Sequence, residues 1–350
     1  MSTLNSANQL SAMQPTILQD RLYYLDALRG MAIIFIVWLH ASPYAHHEVT
    51  LPAALFFLRL IDPGVAFFFL VDGYLFARHL TRHQGFQYGI YLRKSAWRLL
   101  LPWLIFTTAY CLLRAGFEYA GFFTTYLLVG RSFGDIMIFF FLRSFQMYFL
   151  MSLFFIRALS PLTRHLALNG RWFAALFATV VYIVLLKCTG FELGPDPITS
   201  AIAGLQYYLL GILYFHLDDV FRRRAPFIAI VCVLGYGIMV ALDVRWLLPA
   251  RAEIVAKLVA MTANYAFYLV LVRRAGLLVK LGQHTMEIYL LHSPLLVFAI
   301  AMVAKRAIAD PLDLHLVVTT VSIFGALAAA WLISRIPRAR IIFGESASAS

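Results

Sequence analysis

Arg29 and His40 stand eleven residues apart inside one apolar stretch. At 100° per residue that spacing is about 1100°, within about 20° of three full turns, so a helix carries both on one face with an axial offset of about 16 Å. An elongated ligand can bridge them, its anionic head on the guanidinium and its reactive end at the imidazole. A plainer arrangement also suits them: Arg29 snorkels to the bilayer surface and His40 donates to a neighbouring carbonyl. Asp26, Arg59, Asp62, Asp72, Arg143, Glu287 and His292 are the other ionisable residues in apolar stretches considered for a site. Each is costly in lipid, and so is a candidate site residue or half of a pair. Asp26 precedes Arg29 by three residues, the spacing of an intrahelical ion pair, which reads as structural. Arg59 and Asp62 repeat that spacing just before Pro63 and Gly64, where a helix is expected to break. Glu287 and His292 are about 140° apart round a helix and share no face, and Pro294 bends the chain just beyond the histidine.

Such residues need lipid-spanning helices to hold them. Of 350 residues, 62% are hydrophobic and 13% charged, about half the charged share of a soluble domain. The apolar stretches run to about twenty residues without alternation, which excludes a β-barrel. Spans are expected at about 24–43, 51–77, 98–113, 136–156, 172–189, 199–217, 226–243, 253–272, 284–303 and 316–334. The expected fold class is therefore all-α, a polytopic transmembrane helical bundle of about ten spans with no soluble domain. Residues 117–130 form a weaker apolar stretch, expected to be re-entrant or interfacial.

Residues 1–20 lack Lys, Arg and an apolar core, so no cleavable signal is expected there. The expected division is a disordered cytoplasmic tail over 1–20, a membrane domain over 21–340 and a cytoplasmic tail over 341–350. With the N-terminus inside, 19 of the 29 Lys and Arg fall in inside segments and six in outside loops. That bias puts both termini in the cytoplasm. It also accounts for the +12 net charge without a nucleic-acid partner. Cys111, Cys188 and Cys232 show no paired spacing and read as buried apolar residues, and His46 with His47 lacks the companion ligands of a metal site.

Three segments carry a family pattern. Arg29 with Gly30, followed by His40, is one; the run from Phe67 through Asp72 and Gly73, with a basic loop and a helix bearing Arg98 and Pro102 after it, is the second. The third runs from Leu281 and Gly282 through Glu287 and Tyr289 to His292 and Pro294. Together, in this order over about 270 residues, they resemble acyltransferase family 3, membrane-bound O-acyltransferases of the polysaccharide and oligosaccharide acetylase type. The first is similar to the family's signature of a basic residue, ten residues and a histidine. Two positions depart from the pattern. Asp72 stands where the family has serine, and Ser95 stands where it has the first of a third-span pair of arginines.

The resemblance implies acetyl-coenzyme A as a cytoplasmic donor, no metal, and a polysaccharide or lipid-linked oligosaccharide hydroxyl as acceptor, in a bacterial inner (cytoplasmic) membrane. It implies His40 and Arg29 as catalytic residues, with Arg29, Arg93, Lys94 and Arg98 on the donor's phosphates. Asp26, Asp72, Glu287, Tyr289 and His292 support them. An imidazole near neutrality can take the proton of a sugar hydroxyl as it attacks a thioester, or can itself be acylated first. The alternative is a transporter or flippase of an anionic or lipid-linked glycan, whose charges line a path; no internal repeat of the span pattern accompanies it.

Overall fold

The computed structural model describes residues 22–45, 64–82, 85–121, 127–143, 147–168, 172–189, 196–244, 253–271 and 276–344. Every regular element among them is helical. In chain order these are α1 (Tyr23–Ala45), α2 (Ala66–Arg82), α3 (Tyr88–Tyr119), α4 (Phe133–Ile138), α5 (Tyr148–Ala158), α6 (Ser160–Leu168) and α7 (Trp172–Thr189). They continue as α8 (Pro197–His216), α9 (Asp218–Val244), α10 (Glu253–Leu271), α11 (Gly276–Gln283), α12 (Thr285–Leu291), α13 (Val297–Ala304) and α14 (Pro311–Ser334). The expected sites Arg59 and Asp62, with His46, His47 and Pro63, lie outside the described residues, as does the side chain of Arg143.

Among the described residues, five helical segments are long and apolar enough to cross a bilayer: Tyr23–Pro43, Tyr88–Tyr119, Pro197–His216, Thr285–Ala304 and Pro311–Ser334. Large apolar side chains such as Leu112, Phe173, Phe177, Phe227, Leu234 and Leu332 face outward, which in water would be an aggregating surface and in lipid is a solvated one. The chain is an integral membrane protein. Its cysteines share that outer surface: Cys188 is exposed and Cys111 and Cys232 are half-buried. The expectation that they are buried fails because lipid tails solvate a thiol's apolar surroundings as well as a core does.

Lipid supplies no hydrophobic force between helices, so close packing must hold them together, and small residues permit it. A Cβ on Gly282 of α11 would lie 1.7 Å from the carbonyl oxygen of Asp26, and one on Gly30 of α1 would lie 1.9 Å from that of Leu278. The backbones of α1 and α11 therefore touch. The same holds for α2 and α8, where a Cβ on Gly73 would sit 2.0 Å from the Tyr208 oxygen and one on Gly211 would sit 1.9 Å from the Leu70 oxygen. These two glycine-sealed pairs fix the heights of Asp26 and Arg29 on α1 and of Asp72 on α2.

Three expected stretches have local features that the sequence did not show. Of residues 117–130, 122–126 lie outside the described residues; α3 runs on to Tyr119, and the Glu118 carboxylate accepts from the backbone N–H groups of Leu127, Leu128 and Val129 at 2.9, 3.0 and 3.0 Å. One carboxylate thus holds the turn beyond α3. Within the expected span 136–156, α4 widens into a π turn (Phe139–Arg143) that lays Phe140 and Phe141 against Trp103 of α3, and α5 runs from Tyr148. Finally, the tail expected from 341 begins docked, since the 3-10 turn Ala339–Phe343 buries Phe343 against Phe106.

Candidate active site

The span expected over 284–303 breaks where Pro294 requires it. Proline has no N–H and pushes the residue before it out of helical geometry; Ser293 has φ −139° and ψ 147°, and a π turn (His292–Leu296) separates α12 from α13. The carbonyl that Pro294 would otherwise have bonded, that of Leu290, accepts from the buried Tyr110 hydroxyl of α3. Tyr110 thereby pins the end of α12, and with it the imidazole of His292, which is fully buried.

His292 does not act alone. Its Nε2 lies 2.8 Å from Nδ1 of His40, and the two rings meet edge to edge and nearly parallel, with centroids 5.1 Å apart at 19°. On its other side, His292 Nδ1 lies 2.9 Å from the Ile288 carbonyl oxygen. A carbonyl can only accept, so His292 carries its proton on Nδ1. In the neutral pair its Nε2 then accepts, and His40 must donate from its own Nδ1. This leaves the lone pair of His40 on Nε2. A chain of two hydrogen bonds, anchored on one peptide carbonyl, therefore sets both the tautomer and the aim of His40, the arrangement a general base or an imidazole nucleophile needs. Glu287 takes no part in it and pairs instead with His284 at 3.2 Å.

About three turns along α1, a cavity of about 220 Å³ opens among α1, α2, α3, α5, α11 and α12. Its polar lining includes Asp26, Arg29, Asp72, Arg98 and Arg157, and Tyr289 is among its walls. Arg98 and Gln283 are exposed and mark the mouth. Tyr289 also connects the two regions, its ring centroid 6.1 Å from that of His292. Arg29 and Asp26 pair at 3.6 Å, as their spacing implies. Asp72 is paired as well: Arg157 Nε donates to its Oδ2 at 2.9 Å, and Nη2 donates to Oδ1. Arg93 and Lys94 are exposed on α3, and neither is among the residues that line the cavity. The structure thus gathers Arg29, Arg98, Asp26, Asp72 and Tyr289 in one place and His40 with His292 in another.

Two residues here were not singled out from the sequence. Arg157 resembles any arginine at a helix end, and only the need of Asp72 for a cation in lipid hinted at it. His315 of α14 stacks on Trp38 with centroids 3.7 Å apart and donates from Nε2 to the Trp38 carbonyl at 2.8 Å, two residues before His40. It buttresses the backbone that presents His40. Among the described residues, no group of three or more His, Cys, Asp and Glu gathers as metal ligands would.

With this geometry in view, comparison with known proteins identifies the chain. A family model described as an acyltransferase domain, that of acyltransferase family 3, matches residues 22–335. The chain belongs to that family. Neither the curated proteins nor the solved structures give a match.

Proposed function

We propose that this membrane acyltransferase is an O-acetyltransferase, moving acetyl from cytoplasmic acetyl-coenzyme A to a hydroxyl of an exported or cell-surface carbohydrate, either a polysaccharide or a lipid-linked oligosaccharide. The observation that carries the reading is the His40–His292 pair on the Arg29 face of α1. One helix joins an aimed imidazole to a basic cavity, the layout an anionic donor with a distant reactive thioester requires. Guanidinium groups match phosphate oxygens two at a time, which suits Arg29 and Arg98 to the donor's phosphates.

The chemistry then uses the Nε2 lone pair of His40. It takes the proton of the acceptor hydroxyl as that oxygen attacks the thioester carbon; the C–O bond forms, the C–S bond breaks, and the thiolate leaves as coenzyme A once protonated. If the imidazole is acylated first, the same lone pair makes the bond and the hydroxyl attacks the acyl-imidazole. In either route His292 steadies His40. The excess of basic residues on one side supports a cytoplasmic position for both termini and for the cavity mouth, in an inner bacterial membrane crossed about ten times.

Mass spectrometry of surface glycans from a deletion strain tests the acceptor. Loss of an acetyl on one glycan class, restored by the wild-type chain and not by His40→Ala, is the expected result. Unaltered acetylation of every glycan would remove the carbohydrate from the proposal.

A further inference from the structure

The ion pair of Asp72 and Arg157 holds a cation inside the bundle, at the wall of the cavity. A buried ion pair is a poor source of stability, because the desolvation of both charges offsets their attraction. Its position suggests another use. Asp72 takes Nε and Nη2, one edge of the guanidinium. Of the five N–H groups an arginine offers, those on the other edge are left for a second partner. That edge turns to Ser95 of α3, whose Oγ is 3.4 Å from Nη1, a long contact. Arg29 and Arg98 line the same cavity, so three guanidinium groups face two carboxylates, Asp26 and Asp72.

We infer that Arg157 is a donor-binding residue, aimed by Asp72, which holds the diphosphate of the acyl-coenzyme A donor beside Arg29 and Arg98. This rests on the donor reading proposed above. The cavity, at about 220 Å³, is below the roughly 300–1,000 Å³ of a pocket that encloses a whole drug-sized ligand. It therefore suits the diphosphate and the adjoining chain, with the adenosine outside the mouth. The two departures from the family pattern become one change. Ser95 replaces an arginine on α3, and Arg157 of α5 brings a guanidinium to that serine; Asp72, in place of another serine, is what holds it there.

The test uses full-length protein purified in detergent, with coenzyme A, dephospho-coenzyme A and pantetheine as probes in a binding titration. Removing Arg157 alone strands Asp72 and risks the fold, so the first variant is the neutral double Asp72→Asn with Arg157→Leu. The second returns the guanidinium to α3 as Asp72→Ser, Ser95→Arg, Arg157→Leu. The first should bind coenzyme A and dephospho-coenzyme A at least tenfold more weakly than wild type, with pantetheine unchanged, and the second should recover to within about threefold. Wild-type affinity in the first variant would overturn the role of Arg157 and leave the donor reading standing. A loss confined to coenzyme A would overturn the diphosphate assignment in favour of the 3′-phosphate, and no recovery in the second would overturn the relocation. A wild-type protein that binds none of the three probes would remove the donor reading and this inference together.

Discussion

Replacing His292 removes the group that accepts from His40 Nδ1 and leaves His40 itself in place. Alanine would also open a hole in a fully buried site, so His292→Phe is the cleaner change: it keeps a ring in that site and offers no acceptor. The lost hydrogen bond is worth about 0.5–1.5 kcal/mol net, and stranding a buried donor costs about 1–3 kcal/mol. At about 1.4 kcal/mol per tenfold in rate, kcat should fall by about fivefold to about a hundredfold. The loss should be smaller than that caused by His40→Ala, because a misaimed imidazole still has its lone pair. KM for the acyl donor should stay within about twofold, since the basic cavity lies about three turns away along α1. Initial rates of coenzyme A release against donor concentration give both constants, with detergent elution profiles as the check on folding. An unchanged kcat, or a raised KM at constant kcat, would refute the hydrogen-bond chain as the device that aims His40.

Tyr110→Phe strands the Leu290 carbonyl that Pro294 leaves open, so it should destabilise the protein by about 1–3 kcal/mol and lower kcat, while donor affinity holds; thermal unfolding and kinetics check this. Gly282→Ala forces a Cβ onto the Asp26 backbone oxygen, so α1 and α11 must separate, and both stability and donor binding should fall, as thermal unfolding and coenzyme A titration would show. Topology reporters fused at Arg223 and at Asp310 should give opposite signals, the first inside and the second outside.

What the sequence yields is whatever repeats along one helix. The ion pair of Asp26 with Arg29 follows from 3.6 residues per turn and is present, and one helix carries both Arg29 and His40. The break after His292 follows from Pro294 alone. Pairings between helices have no period to read. Asp72 and its cation Arg157 are 85 residues apart, and nothing local distinguishes Arg157 from the other arginines near helix ends. His292 shares no helix face with Glu287, and its partner His40 is 252 residues away. The cysteines misled for another reason: in a membrane chain, hydrophobicity no longer separates the core from the lipid-facing surface.

The proposed function depends above all on acyl transfer by the Nε2 lone pair of His40. Labelled acetyl supplied on coenzyme A, with purified wild-type and His40→Ala protein and the glycan acceptor, measures it directly. The expected His40→Ala protein elutes and binds coenzyme A as wild type does and transfers label slower by about a hundredfold or more. Near-normal transfer by folded His40→Ala protein would contradict the proposal.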